Sequence, residues 1–462
     1  MAELIMQNGS GNSLNPIALK DRGEGFISLF FLWAGGNILL ATFIVGSYYA
    51  EGLGFFPMII ISITANLAAY AICAISSQRG AKYGVDEVIT LRPAFGFSGA
   101  YYGAFVLIFI NFGWIGLLSS MTGTATVNAS QAFLGDGFSF PGSYTLFAIG
   151  GGVLIPALLV MLTPKASFYL SNITVPLLGG FSIYILIKIL NSDHMIDVVN
   201  FKATGEVGIA FAIETCVVWA VAWQPYLGSW NKFASSERSA YWGTFAGLAL
   251  IGIIFSITGG IATLATGEID PAVWAVKLDL GVMALLIIIL GTITTSALLL
   301  YAGTMAIMSV FPRLSYKLAV VVVSLPSLIF IFSNQLQDLF GVILLFVGLL
   351  AGPYWAISMV DYAFLRKSTI DVDECYNKNG KYSFKNGFNP IAFLAQLIGM
   401  LLWLYLGGWL SGLETLTFSS GASMFEYFSA TIPAMIVSAA LYVFFVKVLF
   451  KSNKMIVNSY QV

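Results

Sequence analysis

The chain has 462 residues, of which 58% are hydrophobic and only 9% are charged, with a mean hydropathy of +0.88 and a formal net charge of −1. A soluble domain of this size cannot bury so much apolar surface and remain dissolved, so the composition excludes a soluble protein and indicates one embedded in a lipid bilayer. The charge balance gives no sign of a nucleic-acid partner.

Long apolar segments occupy most of the chain. A helix needs about 20 apolar residues to cross the hydrocarbon core of a bilayer, and these segments lack the two-residue alternation of a membrane barrel strand. We therefore predict an all-α integral membrane protein with 12 transmembrane helices, at residues 25–50, 55–76, 96–127, 143–162, 169–190, 208–227, 240–265, 281–310, 317–333, 339–361, 391–413 and 428–450.

The basic residues give the orientation of these spans. Lysine and arginine are enriched in cytoplasmic segments, and with the N-terminus inside, all but Lys188, Lys202 and Lys277 of the 21 basic residues lie at inner positions. An even number of spans places both termini on one side. We predict a multi-pass protein of the cell membrane, functional as a monomer, with both termini cytoplasmic.

The spans suggest one membrane domain without a soluble module. A core of ten helices followed by two more is compatible with a pair of five-helix inverted repeats. The predicted units are a cytoplasmic tail (1–24), a first repeat (25–190), a second repeat (208–361), a cytoplasmic loop (362–390), two additional helices (391–450) and a second cytoplasmic tail (451–462).

Two spans contain residues that interrupt helices. The first has Gly35-Gly36-Asn37 inside its apolar run, and the sixth has Pro225 directly after Trp223 and Gln224. Broken helices expose backbone carbonyls and helix ends to a site halfway across the membrane, as transporters require. The alternative is close helix packing through small residues. The two breaks lie at corresponding positions, each in the first helix of a predicted repeat, and this favours the transporter interpretation.

The eighth span has a cluster of hydroxyl side chains. It reads Gly291-Thr292-Ile293-Thr294-Thr295-Ser296, with four hydroxyls within one and a half turns. Adjacent hydroxyls near a free carbonyl are hard oxygen ligands suited to Na⁺. The spacing is equally compatible with hydroxyls that bond back to their own helix.

Glu214 lies inside the sixth span. An unpaired carboxylate there costs several kcal/mol, so an ionisable residue within a span is a functional candidate by default. Glu214 is therefore a candidate coupling residue, either carrying a proton or lying in an outer vestibule.

Several motifs together resemble one transporter family. They are Asn111-Phe112-Gly113-Trp114-Ile115-Gly116 in the third span, Thr294-Thr295 and Leu300-Tyr301-Ala302 in the eighth, Gly352-Pro353, Val360-Asp361-Tyr362 and Arg366-Lys367 at the tenth, and Asn386-Gly387-Phe388-Asn389-Pro390 closing the inner loop. In order and spacing, over essentially the whole chain, they resemble the nucleobase–cation symport family 1, which includes bacterial cytosine permease and the hydantoin transporter.

The resemblance implies a fold and a substrate site. The fold is leucine-transporter-like, with two inverted five-helix repeats plus two extra helices. The substrate ring is expected between Trp114 and an aromatic residue of the sixth helix, for which Trp219 is the first candidate and Trp223 the alternative.

The resemblance also implies a Na⁺ site made of five neutral oxygens. Its expected ligands are the backbone carbonyls of Gly35, Ile38 and Gly291 and the hydroxyls of Thr294 and Thr295.

The chain departs from the family at the polar residues that bind the substrate. Apolar residues stand at Leu118 and near Leu298 and Leu300. The residues available to compensate are Asn37, Asn111 and Gln224, which complete the predicted substrate site together with Gly36. A pocket with few hydrogen-bonding groups discriminates weakly between ring isosteres, so the pattern predicts a planar heterocycle rather than a named compound.

These features predict a secondary active symporter that imports a nucleobase or related planar nitrogen heterocycle, driven by a Na⁺ gradient through alternating access. The alternatives are a proton-coupled transporter of a vitamin-like or pyrimidine-precursor heterocycle, and a non-transporting membrane sensor. An enzyme is not expected, because a single histidine excludes an HExxH site and the sequence has no P-loop.

Overall fold

A computed structural model of the chain describes residues 14–134, 140–162, 166–191, 195–269, 271, 274, 277–278, 282–333, 340–410, 421–449 and 454–460. The predicted residues outside this part are 1–13 of the N-terminal tail, 281 of the eighth span, 339 of the tenth, 411–413 of the eleventh, 450 of the twelfth, and 451–453 and 461–462 of the C-terminal tail.

Helices form nearly all of the described structure. In chain order they are α1 (Phe26–Asn37), α2 (Leu40–Leu53), α3 (Phe55–Cys73), α4 (Ser77–Tyr83), α5 (Glu87–Phe95), α6 (Tyr101–Leu134), α7 (Ser143–Ile149), α8 (Ile155–Leu162), α9 (Ala166–Leu190), α10 (Met195–Val199), α11 (Ile209–Trp223), α12 (Leu227–Asn231), α13 (Glu237–Thr266), α14 (Val282–Val310), α15 (Tyr316–Ser324), α16 (Leu328–Ile331), α17 (Phe340–Val360), α18 (Val372–Tyr376), α19 (Pro390–Leu406), α20 (Gly421–Phe428), α21 (Thr431–Phe444) and α22 (Lys454–Ser459).

The lengths of the helices fit the predicted membrane spans. Within the described residues, nine helical stretches are long and apolar enough to cross a bilayer, and the bent pair α1–α2 makes a tenth. Two shorter apolar helices, Tyr316–Ile331 and Pro390–Leu406, occupy the positions of the predicted ninth and eleventh spans. The all-α membrane fold is thus confirmed, and the arrangement fits the predicted count of twelve.

The first span is broken where the Gly-Gly-Asn sequence occurs. The helix α1 ends at Asn37, Ile38 and Leu39 leave helical geometry, and α2 starts at an angle of 60° to α1. The hydroxyl of Thr42 donates to the Asn37 carbonyl at 2.6 Å, which satisfies one acceptor that the broken helix leaves free.

The sixth span is broken at Pro225. The helix α11 ends at Trp223, a short 3₁₀ turn follows over Gln224–Tyr226, and α12 continues from Leu227. Proline lacks the N–H that a continuous helix needs. The hydroxyl-rich eighth span, by contrast, is one unbroken helix, α14.

The two broken spans lie at the centre of the packing. The helices α1 and α2 both pack on α13, while α6 packs on α14. The window of Ile209–Asn231 that would cross the bilayer is 83% buried, against 28% for Thr431–Leu449, so the sixth span is central and the last is peripheral.

Both ends of the described chain lie around the short helices α4 and α5. Arg22 near the N-terminus donates to the Ala81 carbonyl. Arg366, after α17, donates to the Pro93 carbonyl of α5 and to the Ser459 carbonyl of α22. The loop 362–390 also packs here, since Asn389 donates to the Ala94 carbonyl at 2.7 Å.

Candidate substrate and cation site

Asn37 joins the break in α1 to the sixth span. Its side-chain oxygen accepts hydrogen bonds from the indole N–H groups of Trp219 at 3.1 Å and Trp223 at 3.2 Å. Its amide nitrogen donates to the Tyr70 hydroxyl and to the Leu248 carbonyl. The side chain is fully buried and uses both donors and both acceptor positions. Asn37 therefore fixes the orientation of the two tryptophans.

The predicted stacking pair is in direct contact. The rings of Trp114 on α6 and Trp219 on α11 meet edge to face, with centroids 4.7 Å apart and planes at 89°. Both are almost fully buried. A planar ligand lies between these rings only after they have separated. Trp223, the alternative partner, instead packs edge to face on Trp33 with centroids 6.1 Å apart.

Gly36 lies directly beside this aromatic cluster. A Cβ at this position would be 3.1 Å from Leu298 Cδ1 and 3.3 Å from the Trp223 ring. The glycine thus allows α1 to approach both α14 and α11. Leu298 is fully buried beside Gly36 and the Trp223 ring, and Leu118 and Leu300 are fully buried as well.

Asn111 connects the third, sixth and eighth spans. Its amide nitrogen donates to the Leu299 carbonyl at 3.0 Å, and its oxygen accepts from the Tyr226 hydroxyl at 2.6 Å. Tyr226 lies in the turn that breaks the sixth span and contacts Trp223. Asn111 therefore links α6 and α14 to the break beside the tryptophans.

Gln224 points away from the other predicted substrate residues. Its amide nitrogen donates to Glu87 Oε1 at 3.0 Å, and its oxygen accepts from the Tyr354 hydroxyl at 3.0 Å. In this conformation Gln224 belongs to a buried polar cluster near α5.

The part of α14 that carries the predicted cation ligands passes the break in α1. Thr295 Oγ1 lies 3.3 Å from both the Gly35 and the Gly36 carbonyl oxygens. A Cβ on Gly291 would lie 2.9 Å from the Ile38 carbonyl oxygen. Thr294 Oγ1 instead bonds back to the Leu290 carbonyl of its own helix at 2.9 Å.

This donor set has the chemistry of a small monovalent cation site. The groups that face each other are neutral carbonyl and hydroxyl oxygens, contributed by a broken helix and by an adjacent intact one. The Thr294 hydroxyl uses its hydrogen in the bond to Leu290, which leaves its oxygen lone pairs free to face a cation. Nearby, the Ser171 hydroxyl is fully buried, has no hydrogen-bond partner within the described structure and lies against Gly35. The Ser171 hydroxyl is thus one more neutral oxygen beside the break in α1.

Glu214, on α11, lies apart from the aromatic residues and from the predicted cation ligands. Its side chain contacts the start of the last span. Its carboxylate accepts from the backbone N–H groups of Ala430 and Thr431, at 3.2 and 3.0 Å, and from the Thr431 hydroxyl at 2.5 Å. Thr431 is the first residue of α21. Glu214 therefore caps a helix N-terminus, where free N–H groups and the helix dipole stabilise a negative charge.

Comparison with known proteins identifies the family. The sequence profile of transporters described as "permease for cytosine/purines, uracil, thiamine, allantoin" matches residues 16–429. The chain belongs to this permease family. The family resemblance seen in the motifs is thereby confirmed, and the protein is a multi-pass membrane permease of the nucleobase and allantoin type rather than an enzyme.

Individual relatives are distant in sequence but match over most of their length. The permease is 25% identical over 453 residues to a protein named "putative allantoin permease" from Escherichia coli (strain K12), covering 88% of this chain and 90% of the relative. It is 23% identical over 429 residues to the allantoin permease of Bacillus subtilis (strain 168), with 85% and 86% coverage.

Solved structures establish the fold. Mhp1, described as a nucleobase-cation-symport-1 family transporter in a closed conformation with bromovinylhydantoin bound, superposes with a TM-score of 0.79 at 17% identity, covering 98% of the permease and 99% of Mhp1. A Na⁺-coupled sialic acid symporter in a substrate-bound outward-open state gives a TM-score of 0.63 at 13% identity, with 92% and 90% coverage. The predicted leucine-transporter-like fold is confirmed.

The sequence did not reveal several residues that organise the permease's site. Tyr70 and Tyr226 hold Asn37 and Asn111, yet a tyrosine within an apolar span carries no distinguishing pattern. Arg79 was counted only as a topology signal, but it is buried and paired with Glu87 at 2.8 Å. Burial raises the pKa of the Glu87 carboxyl, and the Arg79 charge opposes that rise.

Proposed function

We propose that the permease is a secondary active symporter that imports a nucleobase, allantoin or a related planar nitrogen heterocycle, coupled to Na⁺. The observation that supports this most directly is the pairing of two sites on three consecutive residues of α1. The carbonyls of Gly35 and Gly36 face Thr295 at 3.3 Å, and Asn37 holds Trp219 and Trp223.

This arrangement supplies a physical route for coupling. In our proposal Na⁺ binds the carbonyls of Gly35, Ile38 and Gly291 together with the hydroxyls of Thr294 and Thr295. A cation bound there fixes the break in α1, and with it the direction of the Asn37 side chain. Because Asn37 orients the indoles, Na⁺ raises the affinity for a planar substrate, and by linkage the substrate raises the affinity for Na⁺ equally.

The substrate is proposed to bind in an aromatic slot formed by Trp114 and Trp219, beside Gly36. The two rings touch in the closed slot, so binding separates them and replaces one aromatic contact by two stacked ones. Asn37 and Asn111 are the amides nearest to the slot, while Gln224 is assigned to the cluster around Glu87. Opening the site alternately to each side then moves the substrate across the bilayer.

The orientation proposed from the basic residues places α5 and both termini in the cytoplasm. The proposed location is the cell membrane, with one chain sufficient for transport. Glu214 receives no coupling role in this mechanism, because helix capping accounts for its carboxylate.

A thermal-shift screen of the purified permease tests the proposal. The panel holds cytosine, uracil, adenine, allantoin, hydantoin and thiamine, each measured in Na⁺ and in choline at equal ionic strength. We expect at least one compound to raise the melting temperature only when Na⁺ is present. The shift is expected to disappear in Trp114→Ala and to persist in Trp242→Ala, a matched control because Trp242 is exposed on α13.

Other outcomes contradict specific parts of the proposal. A ligand shift of equal size in choline rejects Na⁺ coupling and favours proton coupling. A shift that survives Trp114→Ala rejects the aromatic slot. The absence of a shift across the panel rejects the proposed substrate class.

A further inference from the structure

One buried carboxylate outside the proposed substrate and cation sites contacts three different elements. Glu87, the first residue of α5, accepts from Arg79 Nη2 on α4 at 2.8 Å. It also accepts from Gln224 Nε2 at 3.0 Å and from the backbone N–H of Gly228 on α12 at 2.9 Å. The side chain is 1% exposed. Glu87 thus bridges α4 to the turn that breaks the sixth span and to the helix α12 that follows the turn.

The break in the sixth span creates the need for this carboxylate. A helix that restarts after a proline leaves the N–H groups of its first turn without carbonyl partners. Gly228 is the second residue of α12, and its N–H is one of these groups. A carboxylate at a helix start is favoured both by the free donor and by the helix dipole.

The backbones meet too closely here for any side chain other than hydrogen. A Cβ on Gly228 would lie 2.6 Å from both the backbone nitrogen and Cα of Glu87. A Cβ on Gly80 of α4 would lie 2.9 Å from Gly228 Cα. The helices α4, α5 and α12 are therefore in backbone contact, with Glu87 at their meeting point.

The same cluster reaches the tenth span and the aromatic residues. Arg79 also donates to the Ser358 hydroxyl on α17. Tyr354, one turn earlier on α17, donates to Gln224, which directly follows Trp223. A movement of α12 away from α4 would break the bonds of Glu87 and disturb the segment that carries the tryptophans.

We propose that Glu87 is a positioning residue of the transport cycle, whose carboxylate holds α12 against α4 and so keeps the α5 side of the permease closed. This role rests on the proposed transport function, because it is opening on the α5 side that would release a bound substrate there. Glu87 itself touches neither the aromatic slot nor the cation ligands. Loss of its bonds favours the state open towards α5.

A simpler role for Glu87 is to neutralise the buried charge of Arg79. Removing one member of a buried ion pair is strongly destabilising, whereas removing both is often tolerated. A neutralising role therefore predicts that Arg79→Gln combined with Glu87→Gln behaves like the wild type. A positioning role predicts that this double variant regains thermal stability but still leaves α12 loosely held, because the Gly228 N–H has lost its carboxylate.

A native cysteine reports on the position of the sixth span. Cys73 at the end of α3 donates to the Ala220 carbonyl at 3.1 Å and lies within electrostatic range of Glu87. Cys216 is also on α11, farther from the break than Ala220, and contacts Tyr49 and Asn66. Both cysteines are buried, so Cys216 is an internal reference for general loosening of the protein.

The experiment measures alkylation of the full-length permease by N-ethylmaleimide, with each cysteine quantified by peptide mass spectrometry. We expect Cys73 to be labelled about tenfold faster in Glu87→Gln than in the wild type. In the variant, the movement of α12 away from α4 breaks one charge-assisted hydrogen bond fewer. Cys216 labelling should stay unchanged. Gly228→Ala should also accelerate Cys73 labelling, because its methyl group separates α12 from Glu87. This variant keeps the Glu87 charge, which itself disfavours the reactive thiolate of Cys73, so its acceleration reports movement alone, and its absence would overturn the role of Glu87. Glu237→Gln, which removes an exposed carboxylate at the start of α13, is the control.

Three further results would overturn the role of Glu87. They are unchanged Cys73 labelling in Glu87→Gln, equal acceleration at Cys73 and Cys216, and wild-type labelling in the double variant with Arg79→Gln. None of these measurements needs a substrate or Na⁺, so they leave the proposed function intact. Failure of the ligand screen, conversely, would not change the labelling result.

Discussion

Replacing Thr295 with valine should weaken Na⁺ binding while leaving the shape of the site unchanged. Its hydroxyl lies 3.3 Å from each of the Gly35 and Gly36 carbonyl oxygens, and valine substitutes a methyl group of similar size. Leaving buried polar groups without a partner costs about 1–3 kcal/mol. At about 1.4 kcal/mol per tenfold change, the Na⁺ concentration for half-maximal stabilisation should rise roughly 5- to 150-fold.

The assay is a Na⁺ titration of the melting temperature, with choline keeping the ionic strength constant. The comparison is made at one Na⁺ concentration, well above the dissociation constant of the wild type. There the free energy by which Na⁺ stabilises the protein should be about 1–3 kcal/mol smaller in Thr295→Val, to within about 0.5 kcal/mol. Thr292→Val is the matched control, because that hydroxyl lies on the same helix but bonds to Thr122 at 2.6 Å, away from the break. An unchanged titration in Thr295→Val, or an equal shift in Thr292→Val, would refute the assignment of the cation site.

Three further predictions concern residues outside the cation set. Asn37→Leu should lower the melting temperature and abolish ligand binding, since it leaves the buried indole N–H groups of Trp219 and Trp223 without an acceptor; ligand binding equal to the wild type would contradict this role. Glu214→Gln should reduce stability but leave Na⁺ dependence intact, as thermal shifts with and without Na⁺ would reveal. Burial raises the pKa of the Cys375 thiol to about 12, so its alkylation by iodoacetamide at pH 8 should be slow and should accelerate only on unfolding.

Both helix breaks carry a local sequence signal, but the signal alone does not decide, since α17 continues through Pro353 and α9 through Pro176. Pro225 removes a backbone donor wherever it stands in a helix, and consecutive glycines at 35 and 36 weaken helix formation in any context. The exact position of the first break was less accessible, because the chain leaves helical geometry at Ile38 rather than at the glycines. The hydroxyls of α14 show that sequence spacing alone does not predict their partners. Thr294 and Thr295 are neighbours, yet Thr294 bonds within its own helix and Thr295 faces Gly35.

The roles of Glu214 and Gln224 could not be predicted from the sequence, because long-range contacts decide them. The partners of Glu214 are 216 and 217 residues away, and the Gln224 side chain reaches Glu87, 137 residues away. The rule that an ionisable residue within a span is functional assumes that it is otherwise unpaired. The N-terminus of α21 provides neutral N–H partners for the Glu214 carboxylate. No local pattern around Glu214 indicates that this helix start is close to it.

The apolar character of the slot and the saturation of Asn37 together bear on substrate selection. All four hydrogen-bonding positions of Asn37 are used within the protein, so it contacts a substrate only by giving up an existing bond. Leu298 is buried beside Gly36, and Leu118 and Leu300 are apolar and buried. Few polar groups would therefore be left unpaired by a ligand that lacks a particular ring nitrogen or carbonyl. Selectivity from hydrogen bonds is large only when a mismatched ligand strands a buried polar group. The slot should therefore select mainly for planarity and size, and several heterocycles should stabilise the permease to similar extents.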